Sequence, residues 1–180
     1  MVIEDTIFEG VFVIHSFYVE DERGVFVKVF NDDEFSDNRI DFVIKESYYS
    51  ISNKDVIRGM HFQMPPYEHA KLVYVVEGAI VDVLLDLRKE SKTFMKYISF
   101  ELSGNNHKAI FIPKGIAHGF KSLVNNTITV YSVSSGYSPD SDAGIRYDSF
   151  GYNWDVSNPI LSNRDKQFLS FSDFSKITPF

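Results

Sequence analysis

Short runs of β-branched and aromatic residues recur along the chain, and turn residues bound each of them. The runs span residues 25–30, 72–76, 80–85, 97–102, 109–113 and 127–133. Such runs, with apolar and polar side chains in alternation, are typical of short strands with one face buried. Dipeptides such as Glu77-Gly78 and Asn125-Asn126 are turn signals between them. The regular spacing predicts an all-β sandwich or barrel.

Helical periodicity is scarce in this sequence. We expect only a short turn at residues 31–36 and a helix at residues 162–168, with Ser162 as its N-cap. No linker or internal repeat divides the chain, so residues 1–180 should form a single domain. The first ~20 residues should form strands outside the barrel core, where such segments often pair with a partner subunit and cover exposed edges.

Composition excludes several classes of protein. The formal net charge is -7, and nucleic-acid binding needs a basic face. The chain has no cysteine, which removes disulfides, thiolate nucleophiles and thiolate metal sites. No signal peptide is apparent, and no apolar stretch approaches the ~20 residues that span a bilayer. We therefore expect a cytoplasmic protein with no nucleic-acid or membrane partner.

Two motifs contain the candidate site residues: R-G-M-H-F-Q, which includes His61 and Gln63, and I-P-K-G-I-A-H-G-F, which includes His118. They resemble the signature of a cupin barrel, which places metal ligands as H-x-H, a Glu seven residues before a Gly, and a His in P-x-G-x-x-H. Here Gln63 and Lys71 stand where a His and the Glu are expected. Because an ammonium group repels a divalent cation, we expect a cupin-type jelly-roll barrel without a metal.

The same residues suit acid–base chemistry. Antiparallel pairing of consecutive strands would bring Lys71 near His61, and His118 and Tyr131 on later strands would face the same cavity. A His that removes a proton from carbon, a Lys that stabilises an enolate and a Tyr that returns the proton would act beside a carbonyl. Alone, each is more often a packed or surface residue, so only the joint arrangement indicates catalysis. We expect no role for His15, His69 and His107, which lie outside this arrangement.

The chain resembles the dTDP-4-dehydrorhamnose 3,5-epimerase family over nearly its whole length, from about Gly10 to Lys166. The resemblance lies in R-G-M-H-F-Q, K-L-V, V-D-V, D-L-R, P-K-G-I-A-H-G-F, G-I-R-Y-D and P-I-L-S followed by Asp165. It implies a homodimeric jelly roll that epimerises 4-keto-6-deoxy nucleotide sugars for surface polysaccharides, without metal or organic cofactor.

The resemblance also implies a role for each candidate residue. His61 matches the base that removes the C3 and C5 protons, and Asp165 matches the carboxylate that fixes its tautomer. Lys71 matches the group that stabilises the O4 enolate, and Tyr131 matches the acid on the opposite sugar face. We further expect substrate contacts from Arg23, Phe26, Glu46, Tyr48, Arg58, Gln63, His118 and Tyr137.

The departures from the family concern the nucleotide. The family usually has Gln, Asn and His in the strand before R-G-x-H, where this chain has Glu46, Tyr48 and Tyr49, and Lys28 replaces a family Glu. An ionised carboxylate only accepts hydrogen bonds, so Glu46 suits a base edge rich in N–H donors, such as guanine. A GDP-linked 4-keto-6-deoxy hexose or heptose is therefore an alternative to the dTDP-linked sugar.

Three other classes of protein are weighed against this interpretation. Gln63 and Lys71 disfavour a metal-dependent cupin such as a dioxygenase, since neither supplies an imidazole or a carboxylate. Retention of the acid–base residues disfavours a noncatalytic sugar-binding cupin. The third class is a related enzyme that inverts only C3 or moves the ketone between C3 and C4. Single and double epimerisation start from the same enolate chemistry, so the sequence alone does not separate them.

Overall fold

The computed structural model describes residues 1–180, and strands dominate it. The strands are β1 (Val2–Asp5), β2 (Phe12–His15), β3 (Phe17–Asp21), β4 (Gly24–Lys28), β5 (Glu46–Ser52), β6 (Ile57–Gln63), β7 (Lys71–Glu77), β8 (Ala79–Asp86), β9 (Tyr97–Ser103), β10 (Lys108–Ile112), β11 (Ile116–Ser122), β12 (Thr127–Val133) and β13 (Asp142–Gly144). The helices are α1 (Asp32–Asp37), α2 (Asn163–Gln167) and α3 (Phe171–Phe174). None of them is long and apolar enough to cross a membrane.

Two antiparallel sheets make up the body of the molecule. One has six strands in the order β1-β2-β10-β7-β12-β5, and the other has five in the order β13-β6-β11-β8-β9. The strands β3 and β4 form a separate hairpin. Side chains from both sheets meet in a shared core, with Val73 and Ile110 from one sheet and Leu84 and Phe120 from the other. The predicted all-β, cupin-type jelly roll with short peripheral helices is confirmed.

The start of the chain differs from the prediction. Strands β1 and β2 extend the six-stranded sheet, because β2 pairs with β10. Phe8, Val11 and Ile14 are completely buried in the core. The expectation that the first ~20 residues lie outside the barrel core is therefore wrong up to the end of β2. Burial of these apolar side chains removes their surface from water, which lowers the free energy of the folded state. Only the hairpin of β3 and β4 stands apart.

The helix α2 is short but well defined at its start. The Ser162 hydroxyl accepts a hydrogen bond from the Asp165 backbone N–H at 3.0 Å. This contact satisfies one of the amide groups that a helix leaves unpaired at its N-terminus. The predicted N-cap is confirmed, and the cap fixes the position of Asp165.

A close approach of backbones joins β6 to β11. Gly59 has φ +139°, and a Cβ added there would lie 2.4 Å from the Gly119 Cα. Only glycine fits such a conformation and such a contact. The register shifts beside this point, between His118 and Phe120, and His61 lies directly opposite His118. The two motifs of the sequence are thus brought side by side.

Candidate active site

A cavity of about 440 Å³ opens between the two sheets. Most of the predicted site residues line it: Glu46, Tyr48, Arg58, His61, Gln63, Lys71, His118, Tyr131 and Tyr137. Asp165 lies behind His61 and is hydrogen-bonded to it. The remaining two residues, Arg23 and Phe26, lie elsewhere.

His61 and Asp165 form a hydrogen-bonded pair at one side of the cavity. The His61 Nε2 is 2.9 Å from the Asp165 Oδ1, and the Gly59 N–H donates to Oδ2 at 3.3 Å. Burial would raise the pKa of Asp165, but the hydrogen bonds from His61 and Gly59 hold it below its ordinary value. Since an ionised carboxylate only accepts, Nε2 carries the proton and Nδ1 keeps a lone pair.

Burial also sets the protonation state of His61. It lowers the pKa of the imidazole, and this effect outweighs the opposing influence of Asp165. Arg164 and Lys71 lower the pKa further by charge repulsion. A neutral imidazole with a free lone pair is the form that removes a proton.

Lys71 lies next to His61 although their strands do not pair. The predicted antiparallel pairing of β6 with β7 is wrong, because β6 belongs to the five-stranded sheet and β7 to the six-stranded sheet. The sheets face each other, and the Lys71 Nζ donates to the His61 carbonyl oxygen at 3.2 Å. Burial lowers the pKa of Lys71 to about 8, with Asp82 and Asp142 opposing the shift. The ammonium is thus a buried cation at neutral pH.

Tyr131 approaches the cavity from the six-stranded sheet, opposite the sheet of His61. Its hydroxyl is 3.0 Å from the Ser50 hydroxyl. The Tyr48 ring stacks on the Tyr131 ring, with centroids 5.0 Å apart. Burial raises the pKa of Tyr131, so its hydroxyl keeps its proton at neutral pH. A neutral base and a protonated phenol therefore face one cavity from its two sides.

A second histidine–carboxylate pair lies beside the first. The His118 Nε2 is 2.6 Å from the Asp82 Oδ1, and both side chains are buried. Neither Asp82 nor Ser50 was among the predicted site residues. The signal for Asp82 was a carboxylate in the middle of the apolar run at residues 80–85, where a charge is costly unless it has a partner.

The polar groups of Gln63 are occupied by the protein itself. Its Nε2 donates to the Tyr67 carbonyl oxygen at 2.7 Å, and its Oε1 accepts from the Ser138 N–H at 2.7 Å. The same Nε2 is 3.1 Å from the His69 Nδ1. This geometry favours a bracing role for Gln63 over the substrate contact that we predicted.

His69 lies in the wall of the cavity, contrary to the expectation that it has no place in the site. Burial lowers its pKa to about 3, and the charges of Lys71 and His118 add to the shift. The imidazole is therefore neutral. His69 belongs to none of the sequence motifs. It lies in the loop between β6 and β7, and the path of this loop places it in the cavity wall.

Polar groups surround the mouth of the cavity. The Arg58 Nε donates to the Ser52 hydroxyl at 3.1 Å, and the Glu46 carboxylate accepts from the Tyr137 N–H at 3.2 Å. Asp142 and Arg164, which the sequence had not indicated, also line the cavity and form an ion pair. Arg23 and Phe26 are exposed on the hairpin of β3 and β4, where Arg23 pairs with Asp21. Within a single chain, Arg23 and Phe26 therefore do not reach the cavity.

The residues at the cupin ligand positions do not form a metal-binding cluster. No group of three or more His, Asp or Glu side chains is arranged to hold an ion. His61 and His118 each face a carboxylate, and the Lys71 ammonium lies beside His61. A metal-free site stays a prediction that rests on this donor set.

Comparison with known proteins assigns the family. The model of the dTDP-4-dehydrorhamnose 3,5-epimerase family matches residues 5–173. The chain belongs to this family. A family member from Shigella flexneri, a dTDP-4-dehydrorhamnose 3,5-epimerase, is 39% identical over 158 residues, which cover 85% of this chain and 86% of that protein. The predicted family and its isomerase class are confirmed.

Solved structures of family members share the fold. The Bacillus anthracis epimerase with TDP and PPi bound has a TM-score of 0.92 and 35% identity, covering 94% of this chain and 99% of that one. The Legionella pneumophila enzyme in complex with dTDP-4-keto-L-rhamnose has a TM-score of 0.90 and 30% identity, covering 95% and 93%. The similarity extends over the strands that carry the cavity.

Proposed function

We propose that this protein is a cofactor-independent epimerase that inverts C3, C5 or both in a dTDP-linked 4-keto-6-deoxy sugar. One observation carries the proposal: the neutral imidazole of His61 and the protonated hydroxyl of Tyr131 face the same cavity from opposite sheets. Inversion at a carbon requires removal of a proton from one face and return of a proton to the other. The substrate class is supported by the names and bound ligands of the relatives.

The first step is proton abstraction next to the C4 ketone. The His61 Nδ1 takes the proton from C3 or C5, the C–H electron pair forms the enolate double bond, and the carbonyl π pair moves to O4. The buried ammonium of Lys71 stabilises the negative charge on O4, and it does so more strongly than it would in water. Asp165 stabilises the imidazolium that results.

The second step returns a proton to the opposite face. The Tyr131 hydroxyl donates its proton to the same carbon, and the electron pair on O4 re-forms the ketone. His61 is left protonated and Tyr131 deprotonated, and proton exchange with water restores both. The hydrogen bond between the Tyr131 and Ser50 hydroxyls and the stacked ring of Tyr48 hold the phenol in place.

The mouth of the cavity suits the nucleotide end of the substrate. Arg58 offers a forked set of donors to pyrophosphate oxygens, and it retains free N–H groups for this purpose. Tyr137 lines the same cavity, is exposed and presents a ring for stacking. The Glu46 carboxylate lies next to Tyr137 and contacts a base or ribose that presents a donor.

We also propose that the protein acts as a homodimer. Arg23 and Phe26 lie on an exposed hairpin outside their own cavity, so a substrate contact by either requires a second copy of the chain. Strand β5 is the unpaired edge of the six-stranded sheet, and its Tyr49 and Ile51 are exposed. Exposed edges and apolar hairpins of this kind are usually covered by a partner. The cytoplasmic location and the role in surface polysaccharide synthesis stay predictions.

Solvent isotope exchange tests the proposed function. We would incubate the enzyme in D₂O with dTDP-4-keto-6-deoxyglucose and, separately, with GDP-linked 4-keto-6-deoxy hexose and heptose, and follow the C3 and C5 proton signals by NMR. Deuterium at both carbons of the dTDP sugar is the expected result, and entry at C3 alone would define a 3-epimerase. Exchange only with a GDP sugar would contradict the proposed nucleotide. No exchange with any sugar would contradict epimerase activity and favour a sugar-binding protein.

A further inference from the structure

Arg164 lies between two carboxylates: Asp142 in the cavity lining and Asp165 behind His61. Its guanidinium forms an ion pair with Asp142, which lines the cavity. Its Nε is 3.6 Å from the Asp165 Oδ1, the same oxygen that lies 2.9 Å from the His61 Nε2. A single planar side chain thus connects a carboxylate of the cavity wall to the carboxylate behind the proposed base.

The same guanidinium also contacts the aromatic ring that flanks His61. The Arg164 Cζ lies 5.4 Å from the centroid of the Phe168 ring, a cation–π distance. Phe168 meets the His61 imidazole edge-on, with centroids 5.7 Å apart and an interplanar angle of 74°. Phe168 has little freedom to move, because a Cβ at Gly144 would lie 2.3 Å from its ring. Arg164 therefore touches both neighbours of His61.

We propose that Arg164 is a positioning residue for the proposed epimerase reaction. Held by Asp142 in the cavity wall, it fixes the Asp165 carboxylate and the Phe168 ring against His61. The inference rests on the proposed function, in which His61 removes the substrate proton. It adds a residue that no motif of the sequence had indicated.

The charge of Arg164 acts on His61 in a defined direction. The charged or titratable groups that face His61 are Asp165 and Arg164 from α2, Lys71 from β7 and His118 from β11. Asp165 favours the imidazolium, whereas Arg164 and Lys71 disfavour it. Removal of the guanidinium therefore leaves the attraction of Asp165 less opposed, and His61 binds a proton more readily.

The first experiment measures the titration of His61 without any substrate. Histidine labelled with ¹³C would be followed by NMR across pH in the wild type, Arg164→Met, Arg164→Lys and the control Lys166→Met. The chain has five histidines, so the signal is assigned by its loss in His61→Asn. We expect Arg164→Met to raise the pKa of His61 by about 0.5 unit, the size that one charge a few ångströms away contributes. Lys166 is exposed on the same helix, and its loss should leave the titration unchanged.

The second experiment separates positioning from substrate binding. Arg164→Met should lower kcat by about 10–100-fold through misalignment of the base, while KM changes by less than about threefold. Arg164→Lys should recover most of the rate. Asp142→Asn should lower kcat in the same direction, and the double variant should lose less than the sum of the two single losses, because both act through one ion pair.

Other outcomes would overturn the inference. A rise in KM alone, with an unchanged titration of His61, would make Arg164 a substrate contact instead. Additive losses in the double variant would exclude Asp142 as the anchor. If the wild type exchanged no substrate protons, the proposed function would fail, yet the titration would still decide whether Arg164 acts on His61. The two failures are therefore distinguishable.

Discussion

A lysine buried beside a histidine holds its proton weakly, and Lys71 is such a lysine. Its side chain is almost inaccessible, and burial lowers its pKa to about 8. In the proposed reaction only the protonated form stabilises the enolate, so its contribution is present below this pKa and is lost above it. We expect kcat/KM to fall above about pH 8, as measured by a pH–rate profile under low substrate.

A matched variant identifies the group responsible for this fall. Lys71→Arg keeps a cation that does not deprotonate in the accessible range, so the alkaline fall should disappear in whatever activity is left. A fall at the same pH in this variant would assign it to another group. The acid limb of the profile should stay in both proteins, because protonation of His61 removes the base.

Tyr131 and His61 should fail in different ways when they are replaced. Tyr131→Phe removes the acid but not the base, so exchange of α-protons with D₂O should continue while product formation falls by about 10²–10⁴-fold. His61→Asn should abolish exchange at both carbons. Proton NMR in D₂O measures both quantities in one sample. Equal loss of exchange and product in Tyr131→Phe would contradict its role as the acid.

At this scale the sequence predicted the residues with motifs and missed those without. His61, Lys71 and Tyr131 lie around one cavity, as their arrangement predicted. Ser50 and His69 were missed because a serine and a histidine on a strand or loop carry no pattern of their own. Their positions depend on how the two sheets face each other, which residue types do not specify.

The short helix α2 positions Asp165, because its N-cap residue Ser162 accepts a hydrogen bond from the Asp165 backbone N–H. We expect Ser162→Ala to cost about 1 kcal/mol of folding free energy, as loss of an N-cap usually does. It should also lower kcat, since Asp165 is released from its position behind His61. Urea denaturation and kinetics measure the two effects.

The helix α3 provides the control for this prediction. Ser170 caps it in the same way, accepting from the Asp173 N–H at 3.2 Å, but α3 carries none of the proposed site residues. Ser170→Ala should cost a similar free energy and leave kcat unchanged. A loss of kcat as large as that of Ser162→Ala would show that general loosening, and not the position of Asp165, limits the reaction.

The contact between β6 and β11 should tolerate no side chain. Gly59→Ala places a Cβ 2.4 Å from the Gly119 Cα in a backbone conformation that already disfavours alanine. We expect a loss of about 3 kcal/mol or more in folding free energy, measured by urea denaturation. Gly151 also has a positive φ but no atom near its Cβ position, so Gly151→Ala should cost only about 1–2 kcal/mol. Equal losses would mean that the backbone conformation, and not the contact, is what requires glycine.

The sequence predicted the positions of the strands better than it predicted which strands pair with each other. The runs at residues 72–76, 80–85 and 127–133 lie within β7, β8 and β12. Pairing was wrong for β6 and β7 because consecutive strands usually pair, whereas here the chain crosses from one sheet to the other. Local alternation defines a strand, and only the long-range contacts of the core define its sheet.

At the scale of the whole molecule, the hairpin of β3 and β4 stands apart from the two sheets and exposes apolar side chains. If its Arg23 acts in the cavity of a second copy, two inactive variants should complement each other. Mixed Arg23→Ala and Tyr131→Phe chains should recover about a quarter of the wild-type activity, because half of randomly formed dimers are mixed and each has one intact site. Activity is measured after joint refolding. No recovery from two inactive variants would contradict a contribution of Arg23 to the partner's cavity, and full activity of Arg23→Ala alone would place Arg23 outside catalysis.

In the proposed reaction, the packing of the two sheets would also affect which product forms. Packed sheets lie about 10 Å apart, and here core side chains such as Val73, Leu84 and Phe120 fill the space between them. The proposed base and acid are fixed to different sheets, so a sugar ring between them is reached from one side by each. A core substitution that altered this spacing would change how often a proton returns to the face it left, without touching the sugar. In the proposed reaction, stereochemical fidelity would therefore depend on the hydrophobic core as well as on the reacting groups.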